Sequence, residues 1–139
     1  MISILVTCCS FRQIECSLVF ENICIYINQT DFKSRSQAIN ACKLLGWGLA
    51  VVTTTAKRDA IQAYLGGYDL WIDGSDAAQE GTWITEDGQT VTIPFMTPNN
   101  TPEPNGGTAA NCLFMDSDEL GDYPCTASLG YICDVGAVN

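Results

Sequence analysis

The sequence predicts an α+β domain, and three observations carry that prediction. Two helical periodicities are confined to the first half, short strands crowd the second, and eight cysteines punctuate 139 residues. With 47% hydrophobic residues the chain is long enough for one real core and too short for two. Residues 1–7 are apolar, and the alternation of Ile2, Ile4 and Val6 favours a first strand over the remnant of a signal peptide. Residues 17–27 are rich in Val, Phe, Ile and Tyr and read as strand and turn. Ser34-Arg35-Ser36-Gln37 fits a capping box; Ala38, Ile39, Ala41, Cys42 and Leu45 follow at helical spacing, and Gly46 is the stop.

A second helix is expected over 54–65, ended by Gly66-Gly67, with Ala60, Ile61, Tyr64 and Leu65 as its apolar stripe. Between the helices, residues 49–52 make a short apolar strand. Leu70-Trp71-Ile72 is a strand, and Gly74, Gly81 and Gly88 then separate short segments holding Trp83-Ile84 and residues 91–93. Residues 111–115 and 129–134 complete the strands. Residues 94–111 lack periodicity and hold four of the five prolines. A structureless loop of that length inside a compact domain is usually functional or disordered, and its closure by Cys112 favours function.

Composition removes several classes of activity. The net charge is −10, with six dispersed basic residues, so nothing resembles the basic stripe that phosphate backbones or anionic membranes require. There is no histidine, which removes the commonest general base and zinc ligand and excludes Ser-His-Asp and Cys-His hydrolases. Glu86-Asp87-Gly88 reads as a turn rather than an acid/base pair, and an enzyme is not expected. No apolar run approaches the length of a membrane span. The cysteines form no C-x-x-C pair, so a disulfide framework in an oxidising, extracellular setting is the better reading. Asn28-Gln29-Thr30 and Asn99-Asn100-Thr101 are glycosylation sequons that agree with secretion, the second weakened by Pro102.

Within the long loop stands Glu103-Pro104-Asn105, a carboxylate and a carboxamide joined by a residue of restricted torsion. Such a pair can coordinate a hard cation or hydrogen-bond adjacent sugar hydroxyls.

Further segments recur in a telling order: Ala41-Cys42, Leu49-Ala50-Val51-Val52, Trp71-Ile72-Asp73-Gly74-Ser75-Asp76, Glu80-Gly81-Thr82-Trp83 and Asp87-Gly88. They continue with Glu103-Pro104-Asn105, Asn111-Cys112, Pro124-Cys125 and Gly130-Tyr131-Ile132-Cys133. In this order and spacing the chain resembles the C-type lectin-like domain family over 16–134. The resemblance implies a disulfide-stapled fold with two helices on small antiparallel sheets and a long irregular loop region. It divides the chain into an extension, 1–15, and a carbohydrate-recognition domain, 16–139. It also implies the pairs Cys16–Cys24, Cys42–Cys133 and Cys112–Cys125, and makes Trp71 and Trp83 core aromatics.

Calcium-dependent members, by the same resemblance, use the two residues flanking the proline, an acid two positions before the next cysteine, and an Asn-Asp pair. Here Glu103, Asn105 and Asp122 match, while Ala110 and Gly121 stand where a carboxylate and a carboxamide are expected. Calcium takes about six to eight oxygens, so this depleted set implies a weak or vacant metal site and no required cofactor. Asp116, Asp118 and Glu119 read as a solvated acidic turn rather than a replacement. The expected function is that of a secreted, invertebrate-type lectin binding N-acetylhexosamines or mannose-type sugars through Glu103, Asn105, Asn111, Asp122 and Tyr123. Phe95 is a further aromatic candidate. A protein-binding or other non-carbohydrate module on the same fold is the alternative. Adjacent Cys8 and Cys9 strain against bonding each other, so they predict a disulfide-linked homodimer, or a heterodimer with a close paralogue. Such a dimer would crosslink glycans and agglutinate cells or microbes, as in innate immunity.

Overall fold

A computed structural model describes residues 2–5, 13–94 and 111–138. In chain order the elements are β1 (Ile2–Leu5), β2 (Gln13–Cys16), β3 (Leu18–Phe20), β4 (Ile23–Lys33), α1 (Arg35–Leu45) and β5 (Gly48–Leu49). They continue with α2 (Thr55–Gln62), β6 (Leu70–Ser75), β7 (Cys112–Met115), β8 (Leu120–Tyr123) and β9 (Leu129–Ala137). β1 and β2 form a two-stranded antiparallel sheet whose register pairs Ile2 with Cys16, so the division expected between 15 and 16 falls inside β2.

The other strands form one sheet, ordered β3-β4-β9-β6-β7-β8, with β5 pairing on β9. It is mixed rather than a set of small antiparallel sheets, because β6 and β9 run parallel. Parallel neighbours need a long crossover, which the chain between Ser75 and Leu129 supplies. β3 and β4 are joined by Glu21-Asn22, both at positive φ (49° and 64°), the backbone of a two-residue turn that matches strand twist.

The sheet is covered on both faces. Along β6, Leu70 and Ile72 join one apolar cluster and Trp71 the other; along β7, Leu113 and Met115 oppose Cys112 and Phe114. This is the period-two alternation of a strand, with both sets buried. α1 supplies Ala38 and Cys42 to the second cluster, while α2 (Ile61), Trp83, Val91 and Ile93 close the first. β9 is buried along nearly its whole length, so it does not alternate between buried and exposed residues, and its one charged residue, Asp134, is buried with Lys57 as partner. Trp71 and Trp83 are both core, and the Trp71 indole donates to the Lys33 carbonyl at 2.8 Å.

α1 begins and ends where its sequence says. The Ser34 hydroxyl accepts from Gln37 N, the Gln37 side chain returns to Ser34 N, and Gly46 N closes on the Cys42 carbonyl. α2 is shorter than its pattern. It stops at Gln62, and Tyr64 N and Leu65 N bond to Ile61 and Gln62 carbonyls three residues back, a tighter turn. That turn buries Leu65 but leaves Tyr64 40% exposed, outside the apolar stripe expected of it. The strand expected over 49–52 shrinks to Gly48–Leu49, since Ala50 bridges two strands instead: its N–H goes to Ile132 O and its carbonyl takes Asp73 N. Trp83-Ile84 and residues 91–93 make no named strand; Ile84 forms isolated bridges with Ser75 and Thr90. Among the described residues three disulfides staple the domain, Cys16–Cys24, Cys42–Cys133 and Cys112–Cys125, the pairs the resemblance implies.

Candidate functional site

The described part of the candidate site is the edge formed by β7 and β8. β7 begins at Cys112, immediately after the segment that carries the Glu-Pro-Asn motif, and β8 pairs with it in register from Cys112–Tyr123 to Met115–Leu120. This strand pair is tied by the Cys112–Cys125 disulfide. β8 was not expected as a strand, because its Leu-Gly-Asp-Tyr sequence is short and interrupted by glycine; pairing with β7 is what extends it.

Asp122 projects from β8 opposite Leu113 and is buried. Asn111 is half-buried, and its carbonyl accepts from Asp76 N at 3.1 Å. The Tyr123 ring lies edge-on to Trp71 and Phe114, with centroids at 6.3 and 5.2 Å, so most of its apolar surface is engaged in packing. Glu103, Asn105, Ala110 and Phe95, together with Cys8 and Cys9, lie outside the described residues.

Two carboxylates that the sequence reading did not single out converge here. Asp76 is fully buried; its Oδ2 accepts from Gly81 N at 2.9 Å, and its Oδ1 has no hydrogen-bond partner among the described residues. Glu80 is pushed above the usual glutamate range, first because it can share a hydrogen bond with Asp76 once protonated, then by burial and the Asp76 charge, with a smaller push from Asp122. The signal was present as Asp76-x-x-x-Glu80, but nothing local says that this turn folds towards β8. Among the described residues no group of three His, Cys, Asp or Glu is placed to hold a metal ion. Calcium bound here would therefore draw on Glu103 and Asn105 together with Asp122.

The acidic turn between β7 and β8 is less solvated than its composition implies. Asp116 and Glu119 are half-buried, and Asp116 Oδ1 accepts from Asp118 N and Glu119 N at 2.8 and 2.7 Å. Asp69 faces them, and its carboxyl is raised to about 7 by burial, by a hydrogen bond with Asp116 and by the charges of Asp116 and Glu119. A raised carboxyl holds its proton longer in the folded state, so its contribution to stability is lost as pH climbs from about 4 to about 7. Replacing Asp69 by Asn should flatten that fall, leaving the variant on the order of 1 kcal/mol more stable than wild type at pH 8 after solvent screening, and no more stable at pH 4. Urea titrations at the two pH values check this; an equal difference at both would rule out titration of Asp69 as the cause.

Asn28, the first sequon, sits in β4 with its amide engaged. Nδ2 donates to Tyr26 Oη at 3.2 Å and Tyr131 Oη at 3.5 Å, and Oδ1 accepts from Thr30 N and Asp31 N. A glycan on that nitrogen would have to displace it from the tyrosine pair.

Comparison with known proteins agrees with this geometry. The family model described as Lectin C-type domain matches residues 32–135. Human tetranectin is 29% identical over 117 residues, covering 78% of this chain; the chain spans 58% of tetranectin's length. Among solved structures, the cow C-type carbohydrate-recognition domain of CD23 in the presence of GlcNAc2Man3 oligosaccharide is 25% identical, with a TM-score of 0.69 over 82% of this chain and 88% of that one. A calcium-independent type II antifreeze protein is likewise 25% identical, with a TM-score of 0.73 over 88% and 92%. A family match over most of the chain, on a fold whose described residues form three disulfides and a sheet covered on both faces, leads to one conclusion: the chain belongs to the C-type lectin domain family.

Proposed function

We propose that this chain is a secreted carbohydrate-binding lectin whose sugar site is Glu103-Pro104-Asn105 with Asp122 and Asn111, working with little or no calcium. The single observation that carries the reading is the position of Asp122. It is a buried carboxylate on the strand clamped by Cys112–Cys125, beside the point where the Glu-Pro-Asn segment enters β7. Carboxylate and carboxamide oxygens brought to one edge can bond adjacent sugar hydroxyls without a metal. The likeness to a carbohydrate-recognition domain described with GlcNAc2Man3 supports sugars of the N-acetylhexosamine or mannose type. Ala110 and Gly121, which bring no side-chain oxygen, support the low calcium requirement. Secretion is supported by the three disulfides, and crosslinking as a dimer by Cys8 and Cys9, which would give two sites per particle.

A glycan array read with and without a chelator, on wild type and Glu103→Ala, tests the reading. Binding should survive the chelator and fall at least about tenfold in Glu103→Ala. Loss with the chelator would make the site calcium-dependent, and full binding by Glu103→Ala would move it off the loop. A non-reducing gel should show a dimer band that reduction removes. A second reading, a non-carbohydrate module, is favoured by the likeness to the calcium-independent antifreeze protein together with Ala110 and Gly121. An array with no glycan bound would select it.

A further inference from the structure

A cleft of about 350 Å³ lies between the C-terminal turn of α1, β5 and the Thr85–Gln89 turn, and none of Asn111, Asp122 or Tyr123 lines it. Its most unusual wall is Trp47. Of the three tryptophans, Trp71 and Trp83 are buried, whereas Trp47 is 57% exposed. This exposure is not that of a loose loop. Trp47 N donates to the carbonyls of Asp134 and Val135 at 3.1 and 3.2 Å, and the next two residues pair with β9 as β5. On the other side, Gly46 lies so close to β9 that a Cβ there would collide with the Val135 carbonyl. The backbone is pinned on both sides while Trp47 lines the cleft and stays largely exposed, which makes a preorganised aromatic platform.

The polar residues of the same cleft decide what such a platform fits. Four carboxylates line the cleft, yet each already has a partner. Asp134 holds Lys57 at 2.9 Å, and Asp73 takes Glu86 N at 3.1 Å and Arg35 at 3.4 Å. Glu86 meets Lys43 at 3.3 Å, and Asp87 takes the Thr85 hydroxyl at 2.6 Å and the Gln89 amide at 3.1 Å. A wall compensated in this way does not call for a cation. Its outer members, Lys43 and Glu86, are an exposed pair of the kind that contributes little and can open. They and Gln89 offer alternating donors and acceptors to hydroxyl groups. A lining that combines an exposed indole with polar donors and acceptors matches a pyranose ring. The volume, at the small end of the roughly 300–1,000 Å³ range of small-ligand clefts, suits a mono- or disaccharide.

We propose that this cleft is a second carbohydrate subsite, in which a pyranose stacks on Trp47 and its hydroxyls bond Lys43, Glu86 and Gln89. It goes beyond the loop reading, since its lining includes none of Asn111, Asp122 or Tyr123. Two subsites on one chain would let an extended glycan gain avidity that neither site provides alone.

The test uses the full chain and N-acetylglucosamine or methyl α-mannoside, raised to about 100 mM to saturate a millimolar-range Kd. The indole N–H signals of the three tryptophans are followed by NMR, with Trp47→Phe identifying the Trp47 signal. The Trp47 signal should shift saturably while the Trp71 and Trp83 signals stay still. In Glu103→Ala the shift should persist with an unchanged Kd. Trp47→Ala, checked as folded by its two remaining indole signals, should lose at least about tenfold of glycan-array binding, and Gln89→Ala a smaller part. A Trp47 signal that does not move while Glu103-dependent binding is present overturns the subsite and leaves the loop reading standing. A shift that vanishes in Glu103→Ala overturns it too, since the loop would then be its source. A saturable shift with no Glu103-dependent binding supports the subsite and removes the loop. A shift with tetramethylammonium but with neither sugar overturns the assignment in favour of a cation cleft.

Discussion

Replacing Cys42 and Cys133 together by alanine is expected to lower the unfolding free energy by about 4–5 kcal/mol, and the melting temperature by roughly 15–20 °C. The two residues are separated by 91 positions, so the bond removes the entropy of a loop holding most of the chain. It also joins the helix that covers one face of the sheet to the central strand β9. The Cys16–Cys24 bond spans only 8 positions, and its removal should cost about 2–3 kcal/mol on the same reasoning. Denaturant titrations of the two double variants make the comparison. Equal losses would show that packing around buried sulfur, rather than loop closure, sets the contribution.

Lys57→Met should cost about 3 kcal/mol, far more than a surface ion pair. Lys57 Nζ lies 2.9 Å from both oxygens of Asp134, and the side chains are only 13% and 8% exposed. Asp134 Oδ2 also takes Val51 N at 3.0 Å, so one carboxylate links α2, the segment after β5, and β9. Removing the ammonium leaves that carboxylate in the interior with a single backbone donor, and the charge of Asp134 rather than the lost contact makes the effect large. Adding Asp134→Asn to Lys57→Met should therefore recover part of the loss, with a coupling of about 1–3 kcal/mol by urea unfolding. Additive effects would mean that the pair contributes nothing beyond its separate packing.

These two contacts also separate what was legible in the sequence from what was not. α1 was legible to the residue because its signals are local: Ser34 and Gln37 satisfy each other's backbone groups, and Gly46 ends the ladder. The end of α2 was not, because Tyr64 and Leu65 continue the apolar spacing while the chain tightens around them to bury one and expose the other. β8 was missed for a related reason. A four-residue segment holding Gly121 has little preference of its own and becomes a strand through its pairing with β7.

The candidate site divides in the same way. Glu103-Pro104-Asn105, Ala110 and Gly121 were readable as positions in a motif, whereas the meeting of Asp76 with Glu80, and their approach to Asp122, required the fold. Asp69 and Asp116 likewise stand 47 positions apart and meet only because β6 pairs with β7, Leu70 lying opposite Met115.

By itself, then, the sequence determined the α+β class, the first helix with both its ends, several of the short strands, and the absence of histidine-based chemistry. Each of these depends on neighbours a few residues apart, or on composition alone. Only the tertiary structure decided which carboxylates are buried and paired, that the sheet is mixed, and that Trp47 is left exposed where the chain docks on β9. Burial and charge pairing are set by strands and helices tens of residues apart, and nothing in a local pattern marks which of three tryptophans will be left on the surface.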